Sequence, residues 1–124
     1  MGYQILIVYD SAITRQVIKK VISMAGLETD SVAEAEDGLQ AWEMLQSDDG
    51  INLVFADLNM PKMGGVELVT KMVEGDRLAK TPVIVVTSNR NADRLDGLKK
   101  LGVKACINKP FRPEELRDII AAAL

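Results

Sequence analysis

The fold is decided by one stretch of sequence, Asn52-Leu53-Val54-Phe55-Ala56-Asp57-Leu58-Asn59-Met60-Pro61. Its segment Leu53–Ala56 is uniformly apolar and rich in β-forming residues, which is typical of a strand buried on both faces. The apolar run ends at Asp57, and the closing proline with the pair Gly64-Gly65 predicts a loop. An acid at the carboxyl end of a buried parallel strand lies where open α/β sheets bind ligands. Asp57 is therefore the first candidate site residue, although a helix cap or a turn acid would fit the same position.

Three other apolar runs also end in chemically useful side chains. Residues 5–8 lead to Asp10, residues 83–86 lead to Thr87 and Ser88, and residues 104–107 lead to Lys109. Because parallel strands end at the same edge of a sheet, we expect two acids, a hydroxyl and a cation to converge there. Each side chain alone has an ordinary explanation, such as a solvated lysine or a loop hydroxyl. Their combination at four strand ends favours a functional site.

The apolar periodicity predicts a strand followed by a helix, five times, with short connections. The predicted strands are residues 4–8, 31–35, 51–56, 83–86 and 104–107, and the predicted helices are residues 12–25, 39–46, 65–73, 91 or 92–101 and 114–124. Such alternation demands a mostly parallel sheet with helices on both faces. With no linker and no repeat, residues 1–124 are expected to form one domain.

Helical spacing predicts which side chains of the first three helices face the sheet. In the first helix these are Val17, Ile18, Val21, Ile22 and Ala25, with Arg15, Lys19 and Lys20 opposite. In the second they are Leu39, Trp42 and Leu45, and in the third Val66, Val69 and Val73.

Composition excludes several classes of function. The net charge of −3 and the pI near 5.0 argue against direct binding of nucleic acid, which favours a basic face. The absence of histidine removes histidine metal sites and histidine acid–base chemistry. No run approaches the ~18 apolar residues of a membrane span, and we see no signal peptide. A single cysteine, Cys106, cannot form an internal disulfide, so we expect a cytoplasmic protein.

Together, four motifs closely resemble a response-regulator receiver domain of two-component signalling, of the stand-alone chemotaxis-regulator type. They are Asp10-Ser11 followed by Arg15, Asp57-Leu58-Asn59-Met60-Pro61 with Gly64-Gly65, Thr87-Ser88, and Lys109-Pro110-Phe111. The resemblance covers the whole chain in length and element order. It implies a flavodoxin-like, doubly wound α/β fold, with a five-stranded parallel sheet of order 2-1-3-4-5 and five helices.

The resemblance also implies a function. Asp57 would accept a phosphoryl group from a histidine kinase or a phosphotransfer protein, giving an acyl phosphate. Asp10, Asp57 and the backbone carbonyl of Asn59 would hold Mg²⁺, and Thr87 and Lys109 would contact phosphoryl oxygens. The protein would assist its own phosphorylation and dephosphorylation without being a conventional enzyme. No DNA-binding or catalytic output domain is visible, so, unless this sequence is a fragment of a longer regulator, we expect the effector to be another protein, contacted through the helix 4–strand 5–helix 5 face.

Two residues depart from the pattern of the family. Relatives usually carry two acids after the first strand, whereas here the pair is Tyr9-Asp10. Tyr9 has three explanations. It weakens metal binding, or it marks a degenerate receiver that needs no phosphate, or it is an engineered or erroneous residue. Cys106 stands where relatives usually carry the tyrosine or phenylalanine that turns inward with the residue matching Thr87, which predicts a muted switch. As a free thiol it is better explained as a small buried hydrophobe than as a redox group.

Two rival functions follow from these departures and from Asp57 itself. The first is a pseudo-receiver, a protein-binding module that works without phosphorylation, favoured by Tyr9 and Cys106. The second is a hydrolase of the haloacid-dehalogenase type, which also uses an aspartyl nucleophile. That class requires a second acid two residues further on, where this chain has Asn59.

Overall fold

The computed structural model describes residues 2–88, 92–108 and 112–123. Within these residues five strands alternate with five helices. The strands are β1 (Tyr3–Val8), β2 (Thr29–Ala35), β3 (Leu53–Ala56), β4 (Val83–Thr87) and β5 (Ala105–Asn108). The helices are α1 (Ala12–Met24), α2 (Gly38–Ser47), α3 (Gly65–Glu74), α4 (Ala92–Leu101) and α5 (Pro113–Ala123). No helix among the described residues is both long and apolar enough to cross a membrane.

The strands form one parallel sheet in the order β2-β1-β3-β4-β5, which confirms the predicted flavodoxin-like fold. From β1 the chain passes to β2 on one side and then to β3, β4 and β5 on the other. The topological switch point of the sheet therefore lies between β1 and β3. Val8 is level with Ala56, and Ala56 is level with Val85. The carboxyl ends of the three central strands therefore lie side by side.

The core has two layers, because successive side chains of a strand point to opposite faces of the sheet. Leu6 and Val8 pack with the layer that includes buried residues of α2, α3 and α4, whereas Ile5 and Ile7 pack with buried residues of α1 and α5. Both faces of β3 are covered, and its four residues are all buried. This double burial explains why β3 is continuously apolar and does not alternate.

The predicted boundaries agree with the structure to within about two residues. Side chains cap the first two helices, since Ser11 Oγ accepts from the Thr14 N–H at 3.3 Å and Asp37 Oδ1 accepts from the Gln40 N–H at 2.8 Å. Gly26 follows α1 with φ of 77°, in the left-handed conformation that favours glycine. β2 begins at Thr29, two residues earlier than predicted, since pairing with β1 extends this weakly apolar segment. The predicted end of the last helix, Leu124, lies outside the described residues.

The prediction that a residue faces the sheet is wrong for three residues. Val17 is 53% exposed, Leu39 is 41% exposed and Val73 is 38% exposed. The buried residues of these helices are Ile18 and Ile22 in α1, Gly38, Ala41 and Leu45 in α2, and Gly65, Leu68, Val69 and Met72 in α3. Each helix buries a narrower stripe than its apolar residues suggest, because an apolar residue at the margin of the stripe can remain in water at little cost.

The basic face predicted for α1 is also not simply solvated. Arg15 Nε lies 2.8 Å from Glu34 Oε1, and Lys19 Nζ lies 2.8 Å from Glu34 Oε2. These contacts, the Lys19 hydrogen bond foremost, lower the pKa of the Glu34 carboxyl below its usual range. Arg15 and Lys19 therefore connect α1 to β2.

Arg77 is a structural residue that sequence reasoning missed. The side chain is 6% exposed and donates to the backbone carbonyls of Leu45, of Asp48 at 2.9 Å and of Ile51 at 3.0 Å. Its Nε also donates to Thr81 Oγ1 at 2.8 Å. One guanidinium thus satisfies the carbonyls between the end of α2 and the start of β3, as its five fixed donors allow.

We predict that Arg77→Met lowers the free energy of unfolding by about 3 kcal/mol, because the carbonyls of Leu45 and Asp48 lose the guanidinium donor while the Ile51 carbonyl keeps the Thr81 hydroxyl. Lys80→Met is the matched control, since Lys80 is exposed in the neighbouring turn and should change stability by no more than about 0.5 kcal/mol. Urea unfolding of both variants measures the difference. Equal stability of the two variants would contradict the structural role given to Arg77.

Candidate functional site

The candidate site lies where the three central strands end. Since Val8, Ala56 and Val85 are level, the next residues along each strand, Tyr9, Asp57 and Val86, form the following row. The Asp57 N–H donates to the carbonyl of Val8 at 3.2 Å, which continues the pairing of β1 with β3 by one residue. Asp57 is therefore held at the carboxyl end of the central strand, between the Tyr9-Asp10 pair and the end of β4.

Local geometry orients the Asp57 carboxylate. The side chain is half-buried, and its Oδ1 accepts from the Leu58 N–H at 2.7 Å. The Gly65 N–H donates to the Leu58 carbonyl at 2.9 Å, so the start of α3 packs directly on this loop. A Cβ on Gly65 would collide with the Asp57 carbonyl oxygen. The glycine pair predicted to form a loop is thus required by close approach of the backbone to the acid-bearing residue.

Asp10 and Asn59 lie on the same open cleft. Both are exposed, and the cleft, of about 430 Å³, is also lined by Glu67 from α3 and Arg94 from α4. Sequence reasoning did not include Glu67 or Arg94 in the site. No local signal identifies them, because only the packing of α3 and α4 on the sheet brings them to this edge.

The carboxyl ends of β1 and β3 offer donors that suit a hard divalent cation with few protein ligands. In the part of the chain that the structure describes, no three acidic, cysteine or histidine side chains gather into a metal cage. Two carboxylates, from Asp10 and Asp57, with the backbone carbonyl of Asn59 match Mg²⁺, which keeps several waters and takes only one or two carboxylates. The residues present therefore fit the metal that the family resemblance implies.

Two further predicted residues, Thr87 and Cys106, lie in β4 and β5. Thr87 is the last residue of β4, is buried, and is level with Asn108 of β5. Cys106 is level with Val85 and is partly buried against the core layer that includes α4. Partial burial raises the pKa of the Cys106 thiol, which suits a small core hydrophobe better than a reactive thiolate. Lys109, the predicted cation, lies outside the described residues.

Tyr9 and Asp10 point to different surroundings although they are adjacent. Tyr9 is 1% exposed and belongs to the core layer that includes α1 and α5. Its Oη donates to the carbonyl of Val86 at 2.9 Å, and its own carbonyl accepts from Arg15 Nη1 at 2.7 Å. Burial, and secondarily the negative charge of Asp57, raise the pKa of Tyr9 well above its usual value, so its hydroxyl remains a donor. The position of the missing acid is therefore occupied by a neutral, hydrogen-bonded ring.

Sequence comparison with known proteins finds relatives over nearly the whole chain. A sequence model of the response regulator receiver domain matches residues 5–121. The chemotaxis protein CheY1 of Helicobacter pylori is 35% identical over 121 residues, which cover 98% of this chain and 96% of that protein.

Solved structures give the same result for the fold. Chemotaxis protein CheY4 of Vibrio cholerae superimposes with a TM-score of 0.83 at 28% identity, over 100% of both chains. A CheX–CheY–BeF₃–Mg²⁺ complex from Borrelia burgdorferi has a TM-score of 0.84 at 23% identity, covering 97% of this chain and 87% of that one, and this likeness concerns the fold alone. Since the family model matches residues 5–121 and a chemotaxis protein is 35% identical over nearly the whole length of both chains, the chain belongs to the response regulator receiver family of two-component signalling proteins, with chemotaxis regulators among its relatives.

Proposed function

We propose that the protein accepts a phosphoryl group on Asp57 from a histidine kinase or phosphotransfer protein and thereby changes its affinity for a partner protein. One observation carries this proposal. Asp57 directly continues the buried central strand, between Tyr9-Asp10 on one side and Val86-Thr87 on the other. A carboxylate in this position is fixed by the sheet yet reaches the open edge where ligands bind.

The chemistry begins with the orientation of the Asp57 carboxylate. Because Oδ1 accepts from the Leu58 N–H, Oδ2 is the oxygen that attacks the phosphorus atom. The new bond is P–Oδ2, and the bond from phosphorus to the donor breaks, with its electron pair leaving on the donor atom. The product is an acyl phosphate, which water later hydrolyses back to the free carboxylate.

The surrounding residues offset the charge of the transferred group. Asp10, Asp57 and the Asn59 carbonyl would hold Mg²⁺, which when bound neutralises negative charge on the phosphoryl oxygens. The Thr87 hydroxyl donates to one phosphoryl oxygen, which draws the end of β4 toward Asp57. The Lys109 ammonium contacts another oxygen as a point charge. These residues assist phosphorylation and dephosphorylation of their own chain.

The proposed partner surface is the face of α4, β5 and α5. Lys99 and Lys100 at the end of α4 are exposed, as is Lys104 just before β5, so positive charge gathers where α4 leads into β5. β5 pairs with β4 up to the level of Thr87 and Asn108, which connects the surface to the phosphorylation site. Partners of this face are proteins, and the relay operates in the cytoplasm with its kinase.

One observation favours a second candidate, a binding module that works without phosphorylation. Tyr9 is buried and neutral at the position of the first acid of the usual pair, so the site has one carboxylate fewer than in most relatives. The two candidates differ in whether Asp57 takes up a phosphoryl group.

We predict that incubation with acetyl phosphate and Mg²⁺ adds the mass of one phosphoryl group to the protein and none to Asp57→Asn. The substitution removes the nucleophilic oxygen with little change in shape. Asp118→Asn, which alters an exposed acid on α5, is the control and should gain the mass of the parent. Intact-mass spectrometry reads all three. A mass gain in Asp57→Asn would show that the acceptor is another residue, and no gain in the parent would favour the binding module.

We further predict that Lys109→Ala preserves the fold but slows phosphoryl uptake about 10–100-fold, because a fixed cation beside a developing anion is lost. The variant should also lose most of the amide NMR shift changes that beryllofluoride, a phosphoryl mimic, causes in the parent. Lys104→Ala, an exposed lysine before β5, controls for net charge. An undiminished beryllofluoride response in Lys109→Ala would remove Lys109 from the site.

A further inference from the structure

The end of the β3–β4 ladder leaves one buried carbonyl in need of a donor. The Val54 N–H donates to the Pro82 carbonyl at 3.0 Å. In a parallel ladder the donors from one strand recur at every second residue, so the step after next would join the Leu58 N–H to the Val86 carbonyl. The Leu58 N–H donates instead to Asp57 Oδ1 at 2.7 Å. The Val86 carbonyl is therefore satisfied from elsewhere, and Tyr9 Oη donates to it at 2.9 Å.

This hydrogen bond crosses β3, the strand that leads to Asp57. Tyr9 follows β1 and Val86 lies in β4, and β3 runs between them in the sheet. Two inter-strand spacings amount to about 10 Å, which a tyrosine side chain with its hydrogen bond can span whereas an aspartate cannot. The bond is buried and joins residues 77 positions apart in sequence. Tyr9 thus links the two strands that flank Asp57.

The Val86 carbonyl and the Thr87 N–H belong to the same planar peptide group. On one edge this end of β4 is paired with β5, at the level of Thr87 and Asn108. On the other edge, beyond the last paired residues Ala56 and Val85, the Tyr9 hydroxyl holds it.

We propose that Tyr9 is a positioning residue whose hydroxyl holds the Val86–Thr87 peptide in its resting arrangement and so opposes the movement of Thr87 toward a phosphorylated Asp57. This inference rests on the proposed function for the movement itself, whereas the restraint on the peptide exists in the unphosphorylated protein. In relatives this position carries an acid that supports metal binding, whereas here Tyr9 sets the free energy needed to move Thr87.

The test compares Tyr9→Phe with Tyr3→Phe. Both remove one hydroxyl and keep the ring, and Tyr3 packs against the same core layer at the opposite end of β1. Binding of beryllofluoride in the presence of Mg²⁺ is followed by amide NMR. We expect Tyr9→Phe to bind it about fivefold more tightly than the parent, the factor equivalent to one net hydrogen bond of about 1 kcal/mol, and Tyr3→Phe to match the parent.

A purely structural role predicts a different pattern. Tyr9→Phe would then lose stability while its beryllofluoride affinity stayed equal to, or fell below, that of the parent, and this result would overturn the proposal. If Tyr9→Phe does not fold, 3-fluorotyrosine incorporated at Tyr9 replaces it. Its more acidic hydroxyl donates a stronger bond, so beryllofluoride should bind more weakly than to the parent, and tighter or equal binding would overturn the proposal.

A separate measurement on the free protein distinguishes failure of the restraint from failure of the proposed function. The carbonyl carbon shift of Val86 and the relaxation of the Thr87 amide should change in Tyr9→Phe and remain those of the parent in Tyr3→Phe. Unchanged values in Tyr9→Phe would overturn the restraint. A parent that binds no beryllofluoride would refute the phosphoryl-acceptor function, and with it the coupling to Thr87, while changed values would still support the restraint on the resting peptide.

Discussion

Burial of β3 between β1 and β4 is the constraint on which the rest of the structure depends. A parallel strand covered on both faces needs apolar side chains throughout, and Leu53–Ala56 supplies them. The same burial means that the first acid after the strand must emerge at the carboxyl edge, because an unpaired charge inside the sheet would be costly. Asp57 therefore gains a fixed backbone from the core and access to solvent from the edge.

Where the β3–β4 ladder ends, side chains take the place of strand partners in hydrogen bonds to the backbone. These side-chain hydrogen bonds shape the site. Asp57 Oδ1 takes the Leu58 N–H from the ladder, which orients the carboxylate. The Val86 carbonyl, left without that donor, is satisfied by the Tyr9 hydroxyl. A change in the hydrogen bonding of Asp57 therefore affects the hydrogen bonding of the Val86–Thr87 peptide, because the ends of β3 and β4 are adjacent.

Two arginine side chains, Arg77 and Arg15, complete the hydrogen bonding of the backbone. Arg77 donates to carbonyls between α2 and β3, and Arg15 donates to the carbonyl of Tyr9 while pairing with Glu34. These contacts with carbonyls differ from a surface ion pair, whose contribution to stability would be small. Arg77 holds the loop that leads into β3, and Arg15 supports the Tyr9 backbone just after β1 from the side of α1.

The strand–helix alternation, the parallel sheet and the candidate acceptor Asp57 could all be predicted from the sequence, because apolar periodicity and strand-end residues are local properties of the chain. The buried stripes of the helices could be predicted only in part. Val17, Leu39 and Val73 have the right spacing but are exposed, because the way each helix packs on the sheet decides which of its apolar residues are covered. No local sequence pattern reports that packing. Tertiary structure alone decided the partners of Arg77 and the bond from Tyr9 to Val86. A hydrogen bond between residues 77 positions apart depends on strand order and register, and these arise only when the whole sheet has formed.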